Sequence, residues 1–119
     1  MEDFEKIYID GVFVVAVNLI RATINEAIEF RKIIEEEINS GQTQLVIDLS
    51  KCDYIDSTFF GVIIMASKTL IDMGHKLKVV KPAIVGESIF IHTKTPKVFD
   101  KYKTREDAIK SFEDDIQPG

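Results

Sequence analysis

The stretch that decides the fold is residues 45–73, LVIDLSKCDYIDSTFFGVIIMASKTLIDM. It opens with a short apolar run that ends at Asp48, continues through a polar turn, and becomes a long apolar segment from Ser57 onward. The run has the length of a buried strand, and the segment repeats its apolar residues at helical steps of three and four. That stripe consists of Phe59, Ile63, Ala66, Leu70 and Met73. The stretch therefore predicts a strand that leads into the N-terminus of a helix from about Ser57 to Met73.

Upstream of this stretch, the chain begins with a predicted β-hairpin. Residues 6–9 alternate in polarity, residues 12–17 are apolar, and Asp10-Gly11 lies between them. This dipeptide favours a type I′ turn, because glycine accepts the positive φ that the turn requires. The second strand is the more apolar one, so we expect it to lie further inside the sheet.

The first helix is predicted to begin at Thr23. Thr23 and Glu26 have the spacing of a capping box, in which two side chains satisfy backbone N–H groups of the first turn. Ser40-Gly41 is the corresponding stop signal. The apolar stripe between them consists of Ala27, Phe30, Ile34 and Ile38.

Downstream of the central helix, the pattern continues with a strand over residues 76–80 and a short helix over about 84–92. A last strand begins at residues 98–99, and Thr104 and Asp107 cap a final helix. After the hairpin, strands and helices therefore alternate, which is typical of parallel strands joined by helical crossovers.

We therefore predict an α/β fold with a mixed sheet of about five strands, an N-terminal antiparallel hairpin, the remaining strands parallel, and about four helices. We assign residues 1–119 to one domain with its core at about residues 4–113, and we expect the tail after residue 114 to be frayed.

Composition restricts the function classes. The formal net charge of −5 argues against a sequence-independent nucleic-acid binder, which would carry a basic face. The single cysteine, Cys52, has no intramolecular disulfide partner, which favours the cytoplasm. The acidic N-terminus does not have the form of a signal peptide, and no apolar run is long enough to insert into a membrane.

Several side chains near the junction have two interpretations each. Asp56, Ser57 and Thr58 are either a helix N-cap alone or a site at the carboxyl end of a strand, where ligands collect in α/β sheets. Asp48 either supports this loop or forms a local turn. The first two helical turns, with Phe59 and Phe60, are apolar nearly all round, which predicts either burial under a neighbouring helix or an exposed patch for a partner.

The segments Asp48-Leu49-Ser50, Ile55-Asp56-Ser57-Thr58 and Gly61-Val62 resemble the STAS domain family, the sulfate transporter and anti-sigma factor antagonist fold. The likeness covers about residues 4–113, and a chain of this length is similar to the bacterial anti-sigma factor antagonists rather than to the transporter-attached domains.

The resemblance implies a binding switch rather than an enzyme, with no cofactor and no metal. In such a switch the unphosphorylated antagonist binds an anti-sigma factor that is also a serine kinase, and so frees a sigma factor. The kinase phosphorylates the serine, binding is lost, and a phosphatase of the PP2C type restores it. Carried over, Ser57 is the phosphoacceptor, with Thr58 as a less favoured alternative, and Asp48, Asp56, Phe59 and Phe60 join them in the partner-binding site.

Two positions depart from the family pattern. Phe59 stands where the family usually has glycine, and Ile20 stands where it tends to have aspartate in the loop before the first helix. We expect the bulk of Phe59 to lie where a kinase or partner approaches.

Rival functions are less favoured by the sequence. A non-switching STAS scaffold subunit of a sensory or membrane-associated complex is the main alternative. A response-regulator receiver domain would need an acidic pair after its first strand for Mg²⁺, which this chain does not have. Hydrolase and phosphate-loop motifs are also missing from the sequence.

Overall fold

A computed structural model describes residues 2–82 and 99–114 of the chain. In chain order its elements are β1 (Phe4–Ile9), β2 (Val12–Val17), β3 (Arg21–Ala22), α1 (Ile24–Asn39), β4 (Leu45–Asp48), β5 (Tyr54–Ile55), α2 (Ser57–Asp72), β6 (Leu77–Val80), β7 (Phe99–Tyr102) and α3 (Arg105–Asp114).

The main sheet has five strands in the order β1-β2-β4-β6-β7. β1 and β2 pair antiparallel, and every other neighbouring pair is parallel. The turn of the hairpin has φ of 52° at Asp10 and 80° at Gly11, the two positive values that a type I′ turn requires. The predicted mixed sheet is confirmed, and β2 lies inside the sheet, with all of its residues buried.

Helices cover the two faces of the sheet. Alternate side chains of a strand point to opposite faces, and β2 divides accordingly. Phe13 and Val15 join the core under α1 and α2, whereas Val12 and Val14 join a smaller core under α3. The chain therefore forms three layers, and α1 and α2 lie side by side in one of them.

The first two helices begin where the sequence indicates. At the start of α1, the Thr23 hydroxyl accepts from the backbone of the first turn and Glu26 reaches back to the Thr23 N–H, so the capping box is confirmed. The helix ends before Gly41, whose φ is 101°. The predicted stripe of α2 is buried except for Met73, which is 45% exposed because it lies one residue past the end of the helix.

Two features differ from the expected element list. A second, two-stranded parallel sheet pairs β3 with β5, and no sequence pattern predicted it. The described part of the chain has three helices, one fewer than expected. The helix predicted over residues 84–92 lies outside the described residues, as do the start of the predicted last strand at residue 98 and the tail after residue 114.

Candidate functional site

The loop that precedes α2 is held against the loop that precedes α1. The N–H groups of Asp53 and Tyr54 both donate to the Ile20 carbonyl, at 2.8 and 3.1 Å. The Asp56 N–H donates to the Ala22 carbonyl at 3.0 Å. The Arg21 guanidinium also lies 4.4 Å from the centre of the Tyr54 ring, a cation–π contact. These contacts bring the starts of the two helices together.

The carboxylate of Asp56 caps both helices. Its Oδ1 accepts from the Phe59 N–H at 2.8 Å, which makes Asp56 the N-cap of α2. Its Oδ2 accepts from the Ile24 N–H, also at 2.8 Å, at the first residue of α1. One negative charge therefore faces the positive ends of two helix dipoles. Of the three residues that the sequence offered as the N-cap, Asp56 is the one that caps α2, and it acts on two helices instead of one.

Ser57 and Thr58 lie in the first turn of α2, and both are exposed to solvent. The half-buried Asp56 carboxylate accepts hydrogen bonds from the Phe59 N–H in this turn and from the Ile24 N–H of α1, so it holds the turn against α1. The Ser57 side chain is thus exposed at the start of a helix that the Asp56 carboxylate caps.

The partner surface expected from Phe59 and Phe60 is absent, because both side chains are buried, at 0% and 5% exposure. The Phe59 ring stacks on Phe30 of α1, with centroids 4.4 Å apart, and also faces Phe4 of β1. The Phe60 ring meets Phe99 of β7 edge-on. The apolar first turns of α2 are therefore buried, with Phe59 against the neighbouring helix α1 and Phe60 against β7 of the sheet, which favours burial over an exposed patch.

Asp48 lies at the end of β4 and is 5% exposed. Its Oδ1 accepts from the Ser50 N–H at 2.9 Å, as a turn-forming aspartate does. Its Oδ2 pairs with Nε of Arg105 at 2.9 Å. Asp48 therefore stabilises a local turn and holds the start of α3. Its described contacts do not join it to Asp56 or Ser57.

A sequence model of the STAS domain matches residues 9–108. The chain belongs to the STAS domain family. The match includes all the site residues considered above. No curated protein matches the chain at a significant level.

Solved structures with the same fold include anti-sigma factor antagonists. A proposed antagonist from Thermotoga maritima is 25% identical, with a TM-score of 0.80 over 92% of this chain and 94% of that one. An antagonist from Mycobacterium paratuberculosis is 23% identical, with a TM-score of 0.83 over 92% of each chain. The Bacillus cell fate determinant SpoIIAA in its phosphorylated form is 15% identical, with a TM-score of 0.70 over 92% of this chain and 98% of that one.

Compared with the common STAS pattern, the phenylalanine at position 59 is a change in the core. Its ring fills the space between α2, α1 and β1, and it does not lie where a partner approaches. The prediction that its bulk meets a kinase or partner was wrong, because an apolar residue at the third position of α2 turns inward.

The other departure from the STAS pattern does lie on the surface. Ile20 is 64% exposed, and its carbonyl holds the loop that carries Asp53 and Tyr54. Ile24 and Ile28 follow at steps of four on the outward side of α1, at 60% and 82% exposure. Neither of these two isoleucines was among the predicted site residues. The signal was available, because these isoleucines fall outside the stripe that buries α1.

Cys52 belongs to the core of this STAS domain rather than to the surface site. It is 0% exposed. Burial, together with the charges of Asp48 and Asp53, raises the pKa of its thiol to about 12. A thiol with this pKa stays neutral near pH 7, so it is a poor nucleophile.

Proposed function

We propose that the chain is an anti-sigma factor antagonist, a protein-binding module that phosphorylation of Ser57 switches off. Unphosphorylated, it sequesters an anti-sigma factor that is also a serine kinase, and a sigma factor is thereby released to direct transcription. The kinase transfers the γ-phosphoryl group of ATP to the Ser57 hydroxyl, which gives phosphoserine, ADP and a proton. A phosphatase of the PP2C type hydrolyses the phosphoserine and restores binding.

The observation that carries the proposal is the position of Ser57. The side chain is exposed at the first residue of α2, in a fold that the chain shares with anti-sigma factor antagonists. A serine in this place is within reach of a kinase active site and of a binding partner. Its helix is held in place by the Asp56 carboxylate.

The charge change is large enough to stop binding. Phosphorylation adds about 1.5–2 negative charges at pH 7. Docking a partner over this group would bury the charges without a counter-ion and next to the Asp56 carboxylate. Burying an unpaired charge costs several kcal/mol, and about 1.4 kcal/mol already lowers affinity tenfold. Phosphorylation of one serine can therefore lower the affinity enough to release the partner.

The fold of the chain is expected to tolerate the same charge. A phosphoryl group at the start of α2 faces unpaired N–H groups and the positive end of the helix dipole. SpoIIAA, which shares the fold, has been solved in a phosphorylated form. The switch therefore acts on the interface and leaves the domain folded.

The module acts by binding rather than by catalysis, and it works in the cytoplasm where its kinase partner lies. No helix in residues 2–82 or 99–114 combines the length and apolar character needed to cross a bilayer.

Thr58, exposed beside Ser57, is the alternative acceptor of the phosphoryl group.

The test compares wild-type protein with Ser57→Ala and Ser57→Asp. Immobilised Ser57→Ala is used to capture the partner from the native host, and the captured protein is then purified and titrated by calorimetry against each form. We expect Ser57→Ala to keep wild-type affinity and Ser57→Asp to lose binding. Incubation with the partner and ATP should add one phosphoryl mass to wild-type protein and to Thr58→Ala, but none to Ser57→Ala. Equal affinity of both Ser57 variants would refute the switch.

A further inference from the structure

An exposed patch lies where the starts of α1 and α2 meet. It consists of Ile20, Arg21, Ile24 and Tyr54, and we call it the Arg21 patch. Its three large apolar side chains, Ile20, Ile24 and Tyr54, are 64%, 60% and 45% exposed, and Arg21 is exposed as well. Exposed apolar side chains around an arginine and a tyrosine are typical of a protein-binding surface, because these two residue types often supply much of the binding energy.

Two short strands place the Arg21 patch next to Ser57. β3 and β5 pair in parallel, with Arg21 opposite Tyr54. Further along, the Asp56 N–H donates to the Ala22 carbonyl at 3.0 Å. Arg21 directly precedes one member of this hydrogen-bonded pair, and Ser57 directly follows the other. A protein that contacts the Ser57 side chain therefore also comes close to Arg21.

The guanidinium group of Arg21 is held on the surface with its hydrogen-bond donors available. Its central carbon lies 4.4 Å from the centre of the Tyr54 ring. This stacking contact uses the flat face of the group and leaves the N–H groups at its edge open to an anion. Within residues 2–82 and 99–114, Arg21 has no hydrogen-bonded or ion-paired partner for these N–H groups. Arg31 of α1 differs in this respect, because it is ion-paired with Glu35.

The carboxylates near Arg21 have other partners or lie apart from it. Both oxygens of Asp56 accept hydrogen bonds from backbone N–H groups of the two helices. Glu26 accepts from the N–H and the hydroxyl of Thr23. Asp53, which precedes the stacked tyrosine, forms no ion pair with Arg21 in the described part of the chain. An anion from outside these residues can therefore pair with Arg21.

We propose that the Arg21 patch docks the protein partner, with a carboxylate of that partner paired to the Arg21 guanidinium and apolar side chains of the partner covering Ile20 and Ile24. A carboxylate matches a guanidinium because its two oxygens accept two parallel N–H hydrogen bonds. This inference rests on the proposed function. It names Arg21 as the residue that selects a partner with an acidic side chain at this point of the interface.

Charge and position favour a different protein over a second copy of this chain. Each copy carries a formal net charge of −5, so two copies repel each other. In a two-fold dimer centred on the patch the same surfaces face each other, so one Arg21 would approach the other. A kinase that modifies Ser57, by contrast, must cover the residues beside it.

The position of the Arg21 patch also couples it to the Ser57 switch. A phosphoryl group on Ser57 would lie on the same small surface as the partner carboxylate that pairs with Arg21. The two negative groups repel each other, and the repulsion grows when docking excludes water from between them. Phosphorylation of Ser57 would therefore oppose the contact that Arg21 provides.

The experiment changes the charge of the patch and its stacking face separately. Binding to the purified protein captured by Ser57→Ala is measured by calorimetry at several salt concentrations. Arg21→Gln removes the charge, Arg21→Lys keeps the charge without the flat fork, and Tyr54→Leu removes the stacking face. Lys110→Gln is the matched control, because it removes one positive charge from an exposed position on α3, on the other face of the sheet. Thermal unfolding of each variant checks that it is folded.

We expect Arg21→Gln to weaken Kd at least about tenfold and to reduce its salt dependence. Arg21→Lys and Tyr54→Leu should each weaken Kd by a smaller factor, because each loses only part of the contact. Lys110→Gln should bind like wild type. Arg21→Glu should lose the partner, and replacing one acidic residue of the partner by arginine should restore its binding to Arg21→Glu.

Each other result overturns a distinct claim. If Ser57→Asp loses the partner while Arg21→Gln binds like wild type, the patch is not the docking site and the switch stands. If Arg21→Gln and Lys110→Gln weaken binding equally, the effect comes from the overall charge of the chain and the proposal fails. If Ser57→Asp binds like wild type, the proposed function fails, and with it the control of the patch by Ser57. A mass that rises with concentration in sedimentation of wild-type protein, but not of Arg21→Glu, would overturn the proposal in favour of self-association.

Discussion

Asp56 accepts a hydrogen bond from the backbone N–H of Ile24 at 2.8 Å, although the two residues are 32 positions apart in the chain. The other oxygen of the same carboxylate caps α2 through the Phe59 N–H. One side chain therefore joins the helix that carries Ser57 to the helix that carries the exposed isoleucines. Any change in its capacity to accept hydrogen bonds acts on both helices.

We predict that Asp56→Ala lowers the free energy of unfolding by about 1–2 kcal/mol, the range for loss of a good N-cap. Asp56→Asn should cost less, because its amide oxygen still accepts one of the two hydrogen bonds. Urea denaturation of both variants measures which of them loses more free energy of unfolding. Asp53→Ala removes an exposed carboxylate from the same loop and serves as control. Equal stabilities for the alanine and asparagine variants would contradict the double cap.

Local sequence signals led to correct predictions where the cause of the structure was also local. Asp10-Gly11 predicted the hairpin turn, and Thr23 with Glu26 predicted the capping box; the structure has both. Each of these depends on residues within one turn of chain. The parallel order of the later strands followed from the alternation of element types, which is a property of the whole pattern.

The predictions that failed concern contacts between distant segments. The helical stripe that includes Phe59 indicated its burial, whereas the expectation that its bulk meets a partner failed because the ring packs on Phe30 and Phe4, which are distant in the chain. The strands Arg21–Ala22 and Tyr54–Ile55 are two residues each, too short to show any periodicity. The hydrogen bond from the Ile24 N–H to Asp56 depends on the pairing of these two strands, so it could not be predicted either.

Gly61→Ala is predicted to stabilise the protein by up to about 1 kcal/mol, the helix-propensity difference between the two residues. The added methyl group meets no atom within 4 Å, so it creates no clash. Gly74→Ala is the matched control, since the φ of Gly74 is 82° and an alanine there is strained. Thermal unfolding should therefore shift upward for Gly61→Ala and downward for Gly74→Ala. A downward shift for both would show that Gly61 is required by the fold.

The ion pair between Asp48 and Arg105 is predicted to hold α3 on the sheet. The Asp48 side chain is 6% exposed and that of Arg105 is 30% exposed, so solvent screens the pair only in part. Arg105→Ala should cost about 1–3 kcal/mol, because it leaves a buried carboxylate with one partner fewer. A double-mutant cycle with Asp48→Asn should give a coupling energy above about 0.5 kcal/mol. Additive effects would mean that the two side chains act independently.

Cys52 is predicted to resist alkylation in the folded protein. Its pKa is raised from 9.0 to about 12, so the folded state holds the proton between these values while the unfolded state releases it. The contribution of this thiol to stability is therefore complete below pH 9 and is lost as the pH rises toward 12. Iodoacetamide at pH 8–9 should label Cys52 slowly in buffer and rapidly in urea. Equal rates in the two conditions would place the thiol at the surface.

Ser57→Asp is predicted to leave the fold as stable as wild type, or to raise its stability by about 0.3–1 kcal/mol, because a negative charge at the start of a helix interacts favourably with the helix dipole. Ser40→Asp is the matched control at the opposite end of a helix. Ser40 caps the C-terminus of α1, where its hydroxyl donates to the Glu37 carbonyl at 2.8 Å. The same substitution there removes a donor and places a charge against the negative end of the dipole, so the temperature of thermal unfolding should shift downward.

This pair of variants separates the two ways in which an acidic residue at position 57 could abolish partner binding. Wild-type stability with lost binding assigns the effect to the interface, whereas a large loss of stability in Ser57→Asp would mean that the charge unfolds the start of α2.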